Sequence, residues 1–213
     1  MAQVLQLPRR VVDATLGRLT VPVRSLDDWG RDPHLVAAIA PLARARWRVS
    51  LGGSQHLPAR AGALLVVNNR RLSFSTLYAS LAIGDAVDRP VRFVGRPDVA
   101  PVGALLGRIG GLLDHPDEVF GALRRGELVV ASCTPTRHAR HAGDVDHALL
   151  GAAVRAGVAV HPVATLNSTW STACRVEIGA AVRPRRNRRG PLIEVELADA
   201  VRNHLQRLLD GMA

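Results

Sequence analysis

Lysine is absent from this sequence, aromatic residues are scarce, cysteine occurs twice, and no long apolar run interrupts the chain. Each shortage excludes something. With only 3% aromatic residues, the stacking platforms used on single-stranded nucleic acid cannot be assembled, and no recognised nucleic-acid module is visible, so no specific nucleic-acid partner is expected. Two cysteines, Cys133 and Cys174, make no disulfide framework, and a reduced, cytoplasmic location is expected. Near the start, Arg9, Arg10 and Asp13 break up the apolar groups at residues 4–7 and 11–16. Neither group has the length of a signal peptide or a spanning helix, so any membrane contact is expected to be peripheral, on the inner face of the plasma membrane.

What is present is a chain of 213 residues, 47% of them hydrophobic, long enough to bury one substantial core built from Leu, Val, Ile and Ala. All 28 basic residues are arginine, a usage that fits codon bias in a GC-rich genome better than selection at every site. Against 18 acidic residues they leave a formal charge of +10. That excess favours anionic partners such as a membrane surface, a phosphorylated ligand or nucleic acid, without choosing among them.

The organising stretch is Gly62-Ala-Leu-Leu-Val-Val-Asn-Asn-Arg-Arg-Leu-Ser-Phe-Ser75. Its apolar run, bounded by Gly62 and by Asn68-Asn69, reads as a buried strand of a parallel sheet followed by a polar turn and a helix from Leu72 to Ile83. Further strands are expected at residues 47–51, 91–94, 127–131, 158–163 and 174–178. The fold class is therefore α/β, a single domain with a largely parallel central sheet flanked by helices. A helical segment over residues 1–46 precedes an α/β domain over 47–213. Such a sheet puts its chemistry at the carboxyl ends of its strands.

Helices frame these strands. Asp32-Pro33 is an N-cap followed by proline at the first helical position, with Leu35, Val36, Ile39 and Leu42 expected on the buried side. Val11, Val12, Leu16 and Leu19 have roughly helical spacing, which suits either a packing segment or an amphipathic membrane anchor. Leu197, Val201, Leu205 and Leu208 predict a closing helix. The basic loop at residues 183–189 reads equally as a solvated turn or as a contact for anionic lipid.

The ordered series of blocks from about Trp47 to Gly179 resembles the glycerolipid acyltransferase family, which contains the 1-acyl-glycerol-3-phosphate acyltransferases. The blocks are Leu57-Pro58 with Gly62, Phe93-Val94 with Arg96, Arg108 with Gly110-Gly111, and Thr136-Arg137. The resemblance implies a glycerol-3-phosphate acyltransferase-like fold. It also implies acyl transfer from acyl-CoA or acyl carrier protein to a lysophospholipid, with no cofactor or metal. In that family the first core strand ends in Asn-His, and an Asp five residues after the His completes the catalytic pair. Here those positions are Asn69 and Phe74. An Asn amide does not titrate near neutral pH and cannot accept the proton of an attacking hydroxyl. The catalytic pair is thus degenerate, and His141 or His138 is the candidate relocated base.

By the same resemblance, Arg70, Arg71, Arg96, His115, Thr136 and Arg137 are the expected contacts for a substrate phosphate, bidentate in the case of arginine. His115 stands where the family has an arginine and binds an anion only when protonated. The spacing His138-x-x-His141-x-x-Asp144 fits no strong zinc pattern and reads as a solvated loop. Cys133 and His161 read as packed core residues, not as a nucleophile and a ligand. Two functions remain open: an acyltransferase with a moved base, and a catalytically silent relative that keeps the cleft as a lipid- or phosphate-binding regulatory module.

Overall fold

The computed structural model describes residues 26–70, 73–167, 172–184 and 192–212. Arg71, the N-terminal amphipathic pattern and most of the basic loop at 183–189 lie outside the described residues.

Helix α1 (Pro33–Arg46) begins as its residues dictate, with the Asp32 carboxylate accepting from the amides of His34 and Leu35 and Pro33 in the first turn. Leu35, Val36 and Ile39 pack against the core, whereas Leu42 is 73% exposed. The expected four-residue stripe is therefore one residue shorter. The chain then forms β1 (Arg48–Gly52), a single 3₁₀ turn, β2 (Ala63–Val67) and α2 (Ser75–Val87). Helix α2 starts at Ser75, three residues later than the apolar pattern suggested.

Beyond it lie β3 (Val91–Val94), α3 (Val102–Arg108), β4 (Gly111–Leu112), α4 (Pro116–Arg124) and β5 (Leu128–Ser132). The chain closes with α5 (His147–Ala156), β6 (Ala159–Asn167), β7 (Ala173–Ile178) and α6 (Leu192–Gly211). Gly157 ends α5 with φ 71°, a left-handed conformation that a side chain would strain.

The seven strands form one sheet in the order β1-β7-β6-β2-β5-β3-β4. The five from β6 to β4 are mutually parallel, and β7 and β1 run the other way. All five residues of β2 are buried, as its continuous apolar run requires of a central strand. Successive side chains alternate between two cores. Leu64 and Val66 join α4, α5 and α6 on one face, while Ala63, Leu65 and Val67 join α1 and α2 on the other. Burying one such leucine or valine stabilises the fold by about 1.5–3 kcal/mol. The register places Val67 opposite Ser132 on β5 and Val163 on β6, so the chain leaves β2 and β5 side by side at one edge.

Candidate functional site

The turn after β2 and the turn after β5 remain joined beyond the sheet. The Cys133 amide donates to the Val67 carbonyl at 2.9 Å, and the Thr136 amide donates to the Asn69 carbonyl at 2.9 Å. Arg70 and Thr136 form an isolated parallel bridge. The Thr136 hydroxyl lies 2.8 Å from the His138 carbonyl, with the Asn69 and His141 carbonyls at 3.2 and 3.3 Å.

Asn68 anchors this edge. Its buried amide donates to the carbonyls of Ala139 and Thr165, both at 2.9 Å, and its oxygen accepts from the Thr165 amide at 2.7 Å and the Thr165 hydroxyl at 3.0 Å. Every polar atom of the side chain is used, so β2, β6 and the histidine loop are tied at one point. The same loop is held from the other side by α6. Gln206 accepts from the Ala142 amide and donates to the Arg140 carbonyl, each at 3.0 Å. Thr134 and Asp144 close the loop's base through two further bonds. A Cβ on Gly143 would lie 2.0 Å from the Thr134 carbonyl oxygen, so that position has no room for a side chain.

Asn69 and Phe74, expected from the resemblance at the two catalytic positions, lie in quite different surroundings. The Asn69 amide oxygen accepts from the Ser73 hydroxyl at 3.0 Å, its nitrogen reaches Ser132 Oγ at 3.5 Å, and Ser73 and Ser75 hydroxyls are 3.2 Å apart. Phe74 is 61% exposed and points away from this network, its ring 6.1 Å from Trp47. His138 and His141 are exposed on the lashed loop with ring centroids 5.4 Å apart, edge to face. Asp144 pairs with Arg202 at 3.3 Å.

The expected phosphate contacts reach this edge from several strands. Arg96 follows β3, with its Nη2 3.8 Å from Glu118 and its buried Nε without a hydrogen-bond partner among the described residues. Arg137 follows β5 and is exposed. His115 follows β4, but its Nδ1 accepts from the Asp117 amide at 3.3 Å and caps α4. The Nδ1 lone pair is thus engaged in the helix cap, a role the sequence did not reveal.

Two side chains that invited chemical readings are part of the core. Cys133 is 1% exposed, and burial, helped by Asp144, pushes its thiol up to about 12, so it carries no thiolate. His161 is buried with Nδ1 3.1 Å from the Gly179 carbonyl, and desolvation lowers its pKa.

Beside Phe74 opens a feature that no sequence pattern announced. A mainly apolar groove of about 390 Å³ runs between α1, β1 and α2, lined by Val36, Ala40, Trp47, Leu51, Tyr78 and Leu81 among others. Trp47 lies at the same strand edge as Asn69, because β1 runs opposite to β2. Burial pushes the Tyr78 phenol up to about 12, against the opposing pull of a side-chain interaction with Thr165.

No protein-family model and no curated protein matches the sequence. Among solved structures, the crystal structure of the 1-acyl-sn-glycerophosphate (LPA) acyltransferase PlsC from Thermotoga maritima matches with a TM-score of 0.59 at 15% identity, covering 83% of this chain and 80% of that one. What the two chains share is therefore the fold, a single α/β domain with a mostly parallel central sheet flanked by helices.

Proposed function

We propose that the chain is an acyltransferase-like protein acting on lipids. It transfers an acyl group from an acyl-CoA or acyl carrier protein thioester to a lysophospholipid hydroxyl. The hydroxyl oxygen forms the new bond to the thioester carbonyl carbon as the carbon–sulfur bond breaks. The proton passes to an imidazole of the His138–His141 loop and from there to the departing thiolate. Arg70, Arg71, Arg96, Thr136 and Arg137 hold the acceptor phosphate, and the groove beside Trp47 takes an apolar tail.

The observation that carries this reading is the lashing of the histidine loop to the Asn68–Asn69 turn, which keeps two titratable rings at the edge where the family's base is missing. Fixed placement of thioester and alcohol adds rate through orientation.

The test uses purified protein, labelled acyl-CoA and a panel of lysophospholipids. Turnover is expected in the unaltered protein and is expected to fall about 100- to 10,000-fold in His141→Gln or His138→Gln. Full activity in both single variants and in the double variant would sink the relocated base. Saturable lysophospholipid binding with no turnover, followed by gain of turnover in Asn69→His/Phe74→Asp, would identify a silent binding module instead. The Asn69–Ser73 bond gives that outcome its structural footing.

A further inference from the structure

Helix α1 runs between two cavities. Toward its carboxyl end lies the apolar groove beside Trp47, of about 390 Å³. Toward its amino end a second cavity of about 480 Å³ opens between α1, the later part of α2 and the start of β3, with Arg31, Val91 and Ile109 in its wall. The two adjoin, since Val36, Arg44, Leu81 and Asp85 border both. Arg44 and Asp85 pair at 2.9 Å with side chains 65% and 52% exposed, so they strap the trough at its surface. From Arg31 to Trp47 the trough follows the whole of α1, whose 14 residues span about 21 Å.

Arg31 is a cation without a counterpart. Among the described residues its buried Nε has no hydrogen-bond partner and its guanidinium makes no ion pair. Asp27 and Glu127 are committed to Arg92. Burial, with the nearby Arg92, lowers the Arg31 pKa, so the fold holds this charge against its surroundings. The other charges of the cavity are accounted for. Arg44 neutralises Asp85, the Arg89 guanidinium donates to the carbonyls of Pro58, Arg60, Ala61 and Gly126, and Asp88 is exposed just past the end of α2.

One planar fork of donors at the end of an apolar trough matches one carboxylate on one hydrocarbon chain. A doubly charged phosphate monoester calls for a second free cation, which this end of the trough does not supply among the described residues. We propose that Arg31 anchors the carboxylate of a long-chain fatty acid whose tail lies along α1, beneath the Arg44–Asp85 strap, and ends beside Trp47. Its tail takes the space assigned above to a substrate's apolar tail, with the head group at the opposite end of the sheet. Free fatty acid therefore excludes the acyl donor from the groove. That regulation rests on the transfer reading; the binding itself does not.

The full chain is titrated with palmitate below its micelle concentration, and with methyl palmitate and hexadecyl phosphate for comparison. Saturable palmitate binding is expected, at least about tenfold tighter than that of the ester. Arg31→Met is expected to weaken palmitate at least about tenfold and to leave the ester unchanged, and Arg31→Lys should retain part of the difference. Ala40→Trp, which fills the groove from α1, should abolish binding of both, with thermal midpoints reporting that each variant folds. No saturable binding of palmitate by the unaltered protein overturns the proposal. So does equal affinity for acid and ester, undiminished palmitate binding in Arg31→Met, or hexadecyl phosphate bound more tightly than palmitate. Should Arg31→Met fail to fold, the comparison of acid with ester decides alone. In the transfer assay palmitate is expected to raise the KM for acyl-CoA in the unaltered protein and not in Arg31→Met. Palmitate binding without any turnover refutes the transfer reading alone; turnover without palmitate binding refutes the fatty-acid site alone.

Discussion

At the amino ends of the parallel strands, Arg31 apart, arginine is a structural residue. Arg89 donates to the carbonyls of Pro58 and Gly126 at 2.8 and 2.7 Å, closing the turns that lead into β2 and β5. Arg92, 1% exposed, reaches Asp27 at 2.6 Å and Glu127 at 3.4 Å, and Arg125 pairs with Asp28. At the carboxyl ends the same residue type is left available. Arg96 meets Glu118 only at 3.8 Å, and Arg137 is exposed with no ion pair among the described residues. Two ends of one sheet thus divide a uniform supply of guanidinium groups into those that brace the fold and those left at the proposed phosphate-binding edge. Net charge alone conveys nothing of that division.

The sharpest way to break the comparison is to remove a carboxylate from the bracing end. Asp27→Asn leaves the buried Arg92 with Glu127, 3.4 Å away, as its remaining carboxylate, and its Nε and Nη1 have no hydrogen-bond partner among the described residues. A loss of about 3–5 kcal/mol is expected in denaturant unfolding, and a loss near zero would show that water reaches the pocket. Next in size is Asn68→Ala, expected to cost about 2–3 kcal/mol because the buried Thr165 amide and carbonyl lose their partner. The same variant should speed amide exchange across residues 137–142.

Acid adds a smaller effect of known sign. Burial pushes the Asp27 carboxyl up, but donors on Arg31, Arg92 and Trp29 outweigh it, and Arg108 with the helix amides holds Asp32 down. Both folded values lie below the ordinary 3.8. Their stabilisation is complete above that pH and is lost as pH falls through the depressed values. Asp27→Asn should flatten the Asp27 part of this decline in a series of acid unfolding curves. The smallest effect on stability belongs to Arg137→Ala, about 0.5 kcal/mol or less. In contrast, binding of a lysophospholipid phosphate by that variant should weaken roughly tenfold. Equal loss of stability and of binding would erase the distinction between the two ends.

Much of the architecture could be read from short-range signals. The run in β2, the Asp32-Pro33 start and the glycine after α5 each act through local sterics or neighbouring amides, and the helices and strands they predicted are present. The spacing of Thr136-Arg137 after β5 likewise brought those residues to the edge where β2 ends. What could not be read depends on partners remote in sequence. Arg92 looked like an ordinary residue of a short strand, since its buried pairing needs Asp27 from a loop 65 residues earlier. Asn68 looked like a strand terminator, and nothing marked Gln206 as a brace for a loop 64 residues before it. The groove beside Trp47 arises from how two helices flank an edge strand that runs opposite to the five parallel strands. Leu42 was misplaced because helical spacing gives a face but not its width.

Gln206 also carries a consequence for the order in which this molecule becomes competent. The backbone around the two histidines is braced by a side chain on α6 as well as by Asn68 and Thr136, so translation must deliver that helix, and the helix must dock, before the loop's last brace is in place. A nascent chain emerging from the ribosome can already pair β2 with β5 while its histidine loop still lacks the brace from α6.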